Sequence, residues 1–112
     1  MIMSMRTLIA LAAVAAVAGG NVAAADIEAG KKKVQEVCAA CHGIDGAAPI
    51  MPEYPKLSGQ YPDYLQKALR DYKSGLRKNP IMAGFAQGLT EKDIENVAAY
   101  FSTQPSVLAT RY

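Results

Sequence analysis

Cys38-Ala39-Ala40-Cys41-His42 contains both cysteines and the only histidine of the 112-residue chain. Two thiols three positions apart, with an imidazole on the next residue, fall within little more than one helical turn. All the soft-donor chemistry of the chain is therefore gathered at one spot. The pattern fits the C-x-x-C-H signature of c-type haem attachment. In that reading Cys38 and Cys41 add across the two vinyl groups of one haem c, and His42 offers the iron a neutral nitrogen. Other uses of a C-x-x-C pair fit less well. Zinc would need two more Cys or His ligands, which the chain lacks. A dithiol oxidoreductase would set its motif at a strand-to-helix junction, and no stretch reads as a strand. A bare disulfide would leave the adjacent histidine unexplained.

Residues 1–25 read as an export segment that is removed: Arg6 begins it, Thr7 to Ala18 is almost wholly apolar, and Ala23-Ala24-Ala25 offers an A-x-A cleavage site. That apolar run is short for a bilayer span. The expected mature domain is then 26–112, 87 residues, a size at which side chains alone make a marginal core. A buried porphyrin held by two covalent bonds would supply the missing apolar bulk. Without Arg6 the domain has eleven basic and ten acidic residues. So even a balance gives no ground for a nucleic-acid partner, and any membrane contact is expected only through partners.

Hydrophobic spacing predicts three helices. The first runs over 26–38, with Asp26 as N-cap, Ile27, Val34, Val37 and Cys38 on one face, and Gly30 within it as a point of close helix crossing. Residues 43–60 carry Gly43, Gly46, Pro49, Pro52, Pro55 and Gly59, which predicts a long loop with something to wrap. Pro62 opens a second helix, with Tyr64, Leu65, Ala68, Leu69 and Tyr72 at helical spacing, closed by Ser74-Gly75. Asn79-Pro80 is read as a turn leading into a loop around Met82-Ala83-Gly84. Thr90 and Asp93 resemble a capping box for the last helix, although Asp is shorter than the usual Glu or Gln. Ile94, Val97, Ala98 and Phe101 form its apolar stripe, flanked by Tyr100, and Pro105 ends it. No segment alternates with period two, so the fold class is all-α.

A sixth iron ligand would have to come from outside the motif, and a thioether is the choice left by the composition. After cleavage the methionines are Met51, nine residues beyond His42, and Met82, forty beyond it. Met82 has the greater freedom of reach, while Met51 would have to cross from one face of the ring to the other.

Three stretches together resemble the small bacterial class I cytochromes c, in particular the monohaem cytochrome c-553 type and one half of the di-haem cytochrome c-four type. They are CAACHG at 38–43, YPKLSGQ at 54–60 and MAGFAQGLTEKDIENVAAYF at 82–101. The resemblance covers about residues 26–104 and implies N- and C-terminal helices crossing around a covalently bound haem. It implies thioethers at Cys38 and Cys41, axial iron ligands at His42 and Met82, a Pro55 carbonyl orienting His42, and Leu57 packed on the ring. It also sets Gly30 against Tyr100. One motif in place of two implies one haem.

From that resemblance the expected role is electron carriage without catalysis, because both axial positions are filled by protein. The expected setting is the periplasm, where haem is attached to exported chains of this family, between a quinol-oxidising complex and a terminal oxidase or reductase. Two alternatives remain: a haem-bearing subunit of a larger dehydrogenase, and an open-site haem sensor or enzyme. The position of the motif about a dozen residues into the mature chain counts against the second. Lys67, Arg70, Lys73, Arg77 and Lys78 oppose Glu91, Asp93 and Glu95, which predicts a polarised surface with Arg77 and Lys78 near the haem edge, able to steer an acidic partner.

Overall fold

The computed structural model describes residues 24–108, together with Ala13. Apart from Ala13, Ala24 and Ala25, the export segment lies outside the described residues. Among the described residues five helices follow in chain order: α1 (Ile27–Val37), α2 (Ala39–His42), α3 (Pro62–Ser74), α4 (Pro80–Gln87) and α5 (Glu91–Thr103). Among the described residues there is no strand, as the absence of period-two alternation predicts.

The frame is the crossing of α1 and α5. Asp26 caps α1 by accepting from Ala29 N–H at 3.0 Å, while its own N–H donates to Asn96 Oδ1 on α5 at 2.8 Å. Gly30 lies where the two helices touch. A Cβ there would stand 2.0 Å from the Asn96 carbonyl oxygen and 3.1 Å from Tyr100 Cβ, so a side chain is excluded by the partner's backbone. The expected contact of Gly30 with Tyr100 is present, and Asn96 is closer still. On α5 the Thr90 hydroxyl accepts from Asp93 N–H at 3.1 Å, and the Asp93 carboxylate accepts from Thr90 N–H at 2.9 Å. The capping box is thus complete despite the short Asp side chain.

Val34 of α1, Leu65 of α3, and Val97, Ala98, Tyr100 and Phe101 of α5 form the buried cluster. Phe101 is 1% exposed, and burying such a ring stabilises the fold by about 1.5–3 kcal/mol. Ile27, expected on the buried face, is instead exposed, because it sits a full turn before the crossing at Gly30. The loop from 43 to 61 is tied back at several points. Leu57 N–H donates to Gly46 O at 2.8 Å, and Gly59 N–H to Phe101 O at 2.9 Å. Gly46 holds φ +75°, and a Cβ there would meet Phe101, Ser58 and Leu57 at 2.9–3.0 Å.

The segment around Met82 differs from the loop expected. Asn79 and Pro80 are an N-cap and a first helical residue: Asn79 Oδ1 accepts from Ile81 and Met82 N–H at 3.0 and 3.1 Å. An Asn-Pro pair reads equally as a turn or as a helix start, and the apolar residues after it decide for the helix.

Candidate haem site

Cys38 both ends α1 and begins α2, so the motif continues the first helix through a bend at one residue. That continuity presents Cys38, Cys41 and His42 to one side, where they line a cleft with α3 and α4 opposite. The cleft has about 1280 Å³ of free space when the solvent at its open mouth is included. Its walls are mostly aliphatic and aromatic. Leu65, Ala68, Leu69 and Tyr72, the periodic stripe of α3, face it, as do Phe85, Ala86 and Leu89. This explains why Ala68 and Leu69 are only half-buried although they sit at core spacing. A flat apolar ring fits such a cleft, and two thiols, an imidazole and a thioether are the donors that open onto it.

His42 is 6% exposed, and its Nδ1 lies 2.9 Å from the Pro55 carbonyl oxygen. A carbonyl only accepts, so Nδ1 carries the proton and Nε2 keeps its lone pair free for a metal. The Pro55 partner expected from the resemblance is therefore present. Tyr54 stands beside the imidazole, ring centroids 6.2 Å apart. Leu57 lines the cleft and packs against the buried cluster. Ile50 N–H donates to Cys41 O at 3.0 Å, which ties the loop to the motif helix.

The two methionines separate clearly. Met82 lines the cleft with His42, Cys38 and Cys41. Met51 is 42% exposed and is not among the lining residues. The Cys38 thiol is pushed up to about 11 by burial, against a smaller opposing pull from Lys33. A thiol held protonated at neutral pH is unlike the lowered-pKa attacking cysteine of a dithiol oxidoreductase.

The spacing predicted the motif, and the resemblance predicted Pro55, Leu57 and Met82. Tyr54, Phe85, Ala86 and Leu89 were missed as wall residues. For Phe85 and Ala86 the signal was present, since they follow Met82 at helical spacing once α4 is read as a helix; for Leu89, which lies past the end of α4, and for Tyr54 there was none. The expected separation of charges is also corrected. Arg70 donates to Glu91, with Nε at 2.7 Å, Lys67 pairs with Asp71, and Lys73 donates to the Leu89 carbonyl. The basic face of α3 is thus partly neutralised by the acidic start of α5, and Arg77 and Lys78 stand outside this set of pairs.

A helical frame crossing over an apolar cleft with a Cys-x-x-Cys-His helix at its edge defines a class I c-type cytochrome. The comparisons agree: residues 27–105 match the Cytochrome c family, and the chain belongs to it. It is 43% identical over 108 residues to a cytochrome c4 of Stutzerimonas stutzeri, a match covering 88% of this chain and 50% of that one. It is 43% identical over 84 residues to cytochrome c-554(548) of Halomonas halodenitrificans, covering 72% of this chain and 99% of that one. The fold is similar to the crystal structure of reduced recombinant cytochrome c4 from Pseudomonas stutzeri, with a TM-score of 0.67 at 45% identity over 73% of this chain and 47% of the other. The chain thus spans about half the length of the cytochrome c4 chains it matches. Its cofactor is one covalently bound c-type haem, in keeping with the spacing of Cys38 and Cys41.

Proposed function

We propose that this chain is a one-electron carrier whose haem is held through Cys38 and Cys41, with His42 and Met82 as axial ligands. The observation that carries this reading is the opening of His42 and Met82 onto one apolar cleft with both cysteines, while Met51 stays outside. When bound, the haem supplies an iron that alternates between ferric and ferrous states. His42, fixed by Pro55, offers Nε2 in one orientation; Met82, carried on the capped helix α4, offers a thioether and leaves no open coordination position for a substrate. Leu65, Leu69 and Phe85 keep water from the site, and a dry pocket with a thioether ligand favours the less charged ferrous form. The carrier works in the periplasm after export, between a quinol-oxidising complex and a terminal oxidase or reductase. Among the described residues no helix is long and apolar enough to cross a membrane.

A second reading has specific support: the cytochrome subunit of sulfide dehydrogenase from Chlorobaculum tepidum is 39% identical over 64 residues. In that reading the chain is the haem-bearing subunit of a dehydrogenase, and a second polypeptide co-purifies with it. Carbon monoxide and cyanide separate both from an open-site sensor or enzyme. The expected result is an unchanged spectrum on brief exposure; an immediate shift would mean that Met82 does not close the site.

A further inference from the structure

We propose that Tyr54 is a positioning residue for the iron-binding histidine: its ring covers the hydrogen bond between His42 and Pro55 on the side open to water. This deepens the carrier reading and rests on His42 being an axial ligand. The bond lies against an exposed stretch of chain. Met51, Pro52, Glu53, Pro55 and Lys56 are all exposed, and within 51–56 only Tyr54 is half-buried. Yet His42, whose Nδ1 lies 2.9 Å from the Pro55 carbonyl oxygen, is only 6% exposed. An exposed loop alone would leave that imidazole open to solvent, and the residue that intervenes is Tyr54. Its ring centroid lies 6.2 Å from that of His42 with the planes tilted by 50°, inside the roughly 4.5–7 Å range of an aromatic pair.

The backbone holds the ring in that place. Tyr54 N–H donates to Met51 O at 3.1 Å, closing a four-residue turn with Pro52 in its second position, where the fixed φ of proline suits a turn. One residue earlier, Ile50 N–H donates to Cys41 O at 3.0 Å, so the turn is anchored to the motif helix itself. Two consecutive residues are thereby delivered to His42: Pro55 holds Nδ1 through its carbonyl, and Tyr54 lies beside the imidazole. Among the described residues the Tyr54 hydroxyl makes no hydrogen bond, so the ring does the covering.

A hydrogen bond kept from water is electrostatically stronger and has no solvent competitor for either partner. His42 then presents Nε2 in one orientation in both oxidation states, which keeps rearrangement small when an electron moves. Alanine at position 54 removes the cover and lets water compete for the Nδ1 proton and the Pro55 carbonyl. Phenylalanine keeps it.

The test follows exchange of the His42 Nδ1 proton with solvent, by NMR of the ferrous holoproteins of wild type, Y54F, Y54A, Y54L and G30A. Y54F should exchange at the wild-type rate, and Y54A about tenfold faster or more, through a local opening that leaves the fold intact. G30A weakens the α1–α5 crossing instead and should leave this proton at the wild-type rate under native conditions, which separates loss of cover from loss of global stability. Exchange in Y54A equal to wild type, in Y54F as fast as in Y54A, or in G30A as fast as in Y54A would overturn the assignment. If Y54A yields no holoprotein, Y54L, which keeps apolar bulk without the flat ring, is judged against Y54F and G30A by the same criterion. A pyridine haem spectrum taken first separates the two levels of failure: absence of covalent haem defeats the functional reading, whereas covalent haem with unmoved exchange defeats only the role of Tyr54.

Discussion

At the scale of single residues, the hydrogen bond from His42 to Pro55 is what turns a motif into a defined site. The five-residue motif supplies an imidazole, but only the carbonyl 13 positions later decides which nitrogen points at the metal. That partner was legible through resemblance and not through spacing, because no local pattern says where a proline carbonyl will return in space. The choice between Met51 and Met82 has the same character. Met82→Ala should preserve haem attachment, open the sixth position and remove the weak red charge-transfer band of the ferric form; absorbance of the oxidised protein checks it. Loss of that band in Met51→Ala, with Met82→Ala unchanged, would reverse the assignment.

At the scale of elements, helix starts carried the most information and were also where reading erred. Thr90 and Asp93 announced α5 correctly, whereas Asn79-Pro80 hid α4 because the pair serves turns and helix starts alike. The Asp93 carboxyl is held below its usual range, first by the Thr90 backbone N–H and then by the Thr90 hydroxyl, with Lys33 and Lys73 assisting and burial opposing. A depressed folded pKa means stabilisation that is complete above the unfolded value near 4 and lost as pH falls through the folded one. Asp93→Asn keeps an acceptor and removes the charge. It should therefore lower unfolding stability near pH 7 by about 0.3–1 kcal/mol, and the gap should close as pH falls through the folded value; denaturant titrations at neutral and at acid pH test this, and a gap that persists in acid would exclude the charge as its cause. Two glycines give an opposed pair. At Gly30 an added methyl strikes the Asn96 carbonyl, so Gly30→Ala should cost about 1–3 kcal/mol. At Gly84 nothing lies within 4 Å, so Gly84→Ala should gain up to about 1 kcal/mol from helix propensity alone. Shifts of like sign in denaturant midpoint for the two variants would contradict the crossing geometry.

At the scale of the whole molecule, the all-α class was legible from periodicity, but the cleft was not, since Leu65, Ala68, Leu69 and Tyr72 repeat at the spacing of any core-facing helix. What they face is a space for a cofactor, and no apolar pattern distinguishes a ring from another helix. The surface around the mouth was half legible. Charges counted along the chain suggested two poles, while folding pairs Arg70 with Glu91 across them; Lys78 is exposed, in no ion pair among the described residues, and between exposed Leu76 and Ile81 in the chain. Lys78→Glu should lower the bimolecular electron-transfer rate to an acidic partner at low salt and leave the haem spectrum unaltered. An unchanged rate in stopped flow would remove Lys78 from the docking face. Everything at this scale presupposes the covalent haem, and the most direct measurement is a haem assay in alkaline pyridine on the purified protein, read with its oxidised and reduced spectra. The expected result is one haem per chain that resists extraction into acid acetone, shows the spectrum of a haem with both vinyl groups saturated, and carries the red band of methionine ligation when oxidised; haem that passes into acid acetone would contradict the account.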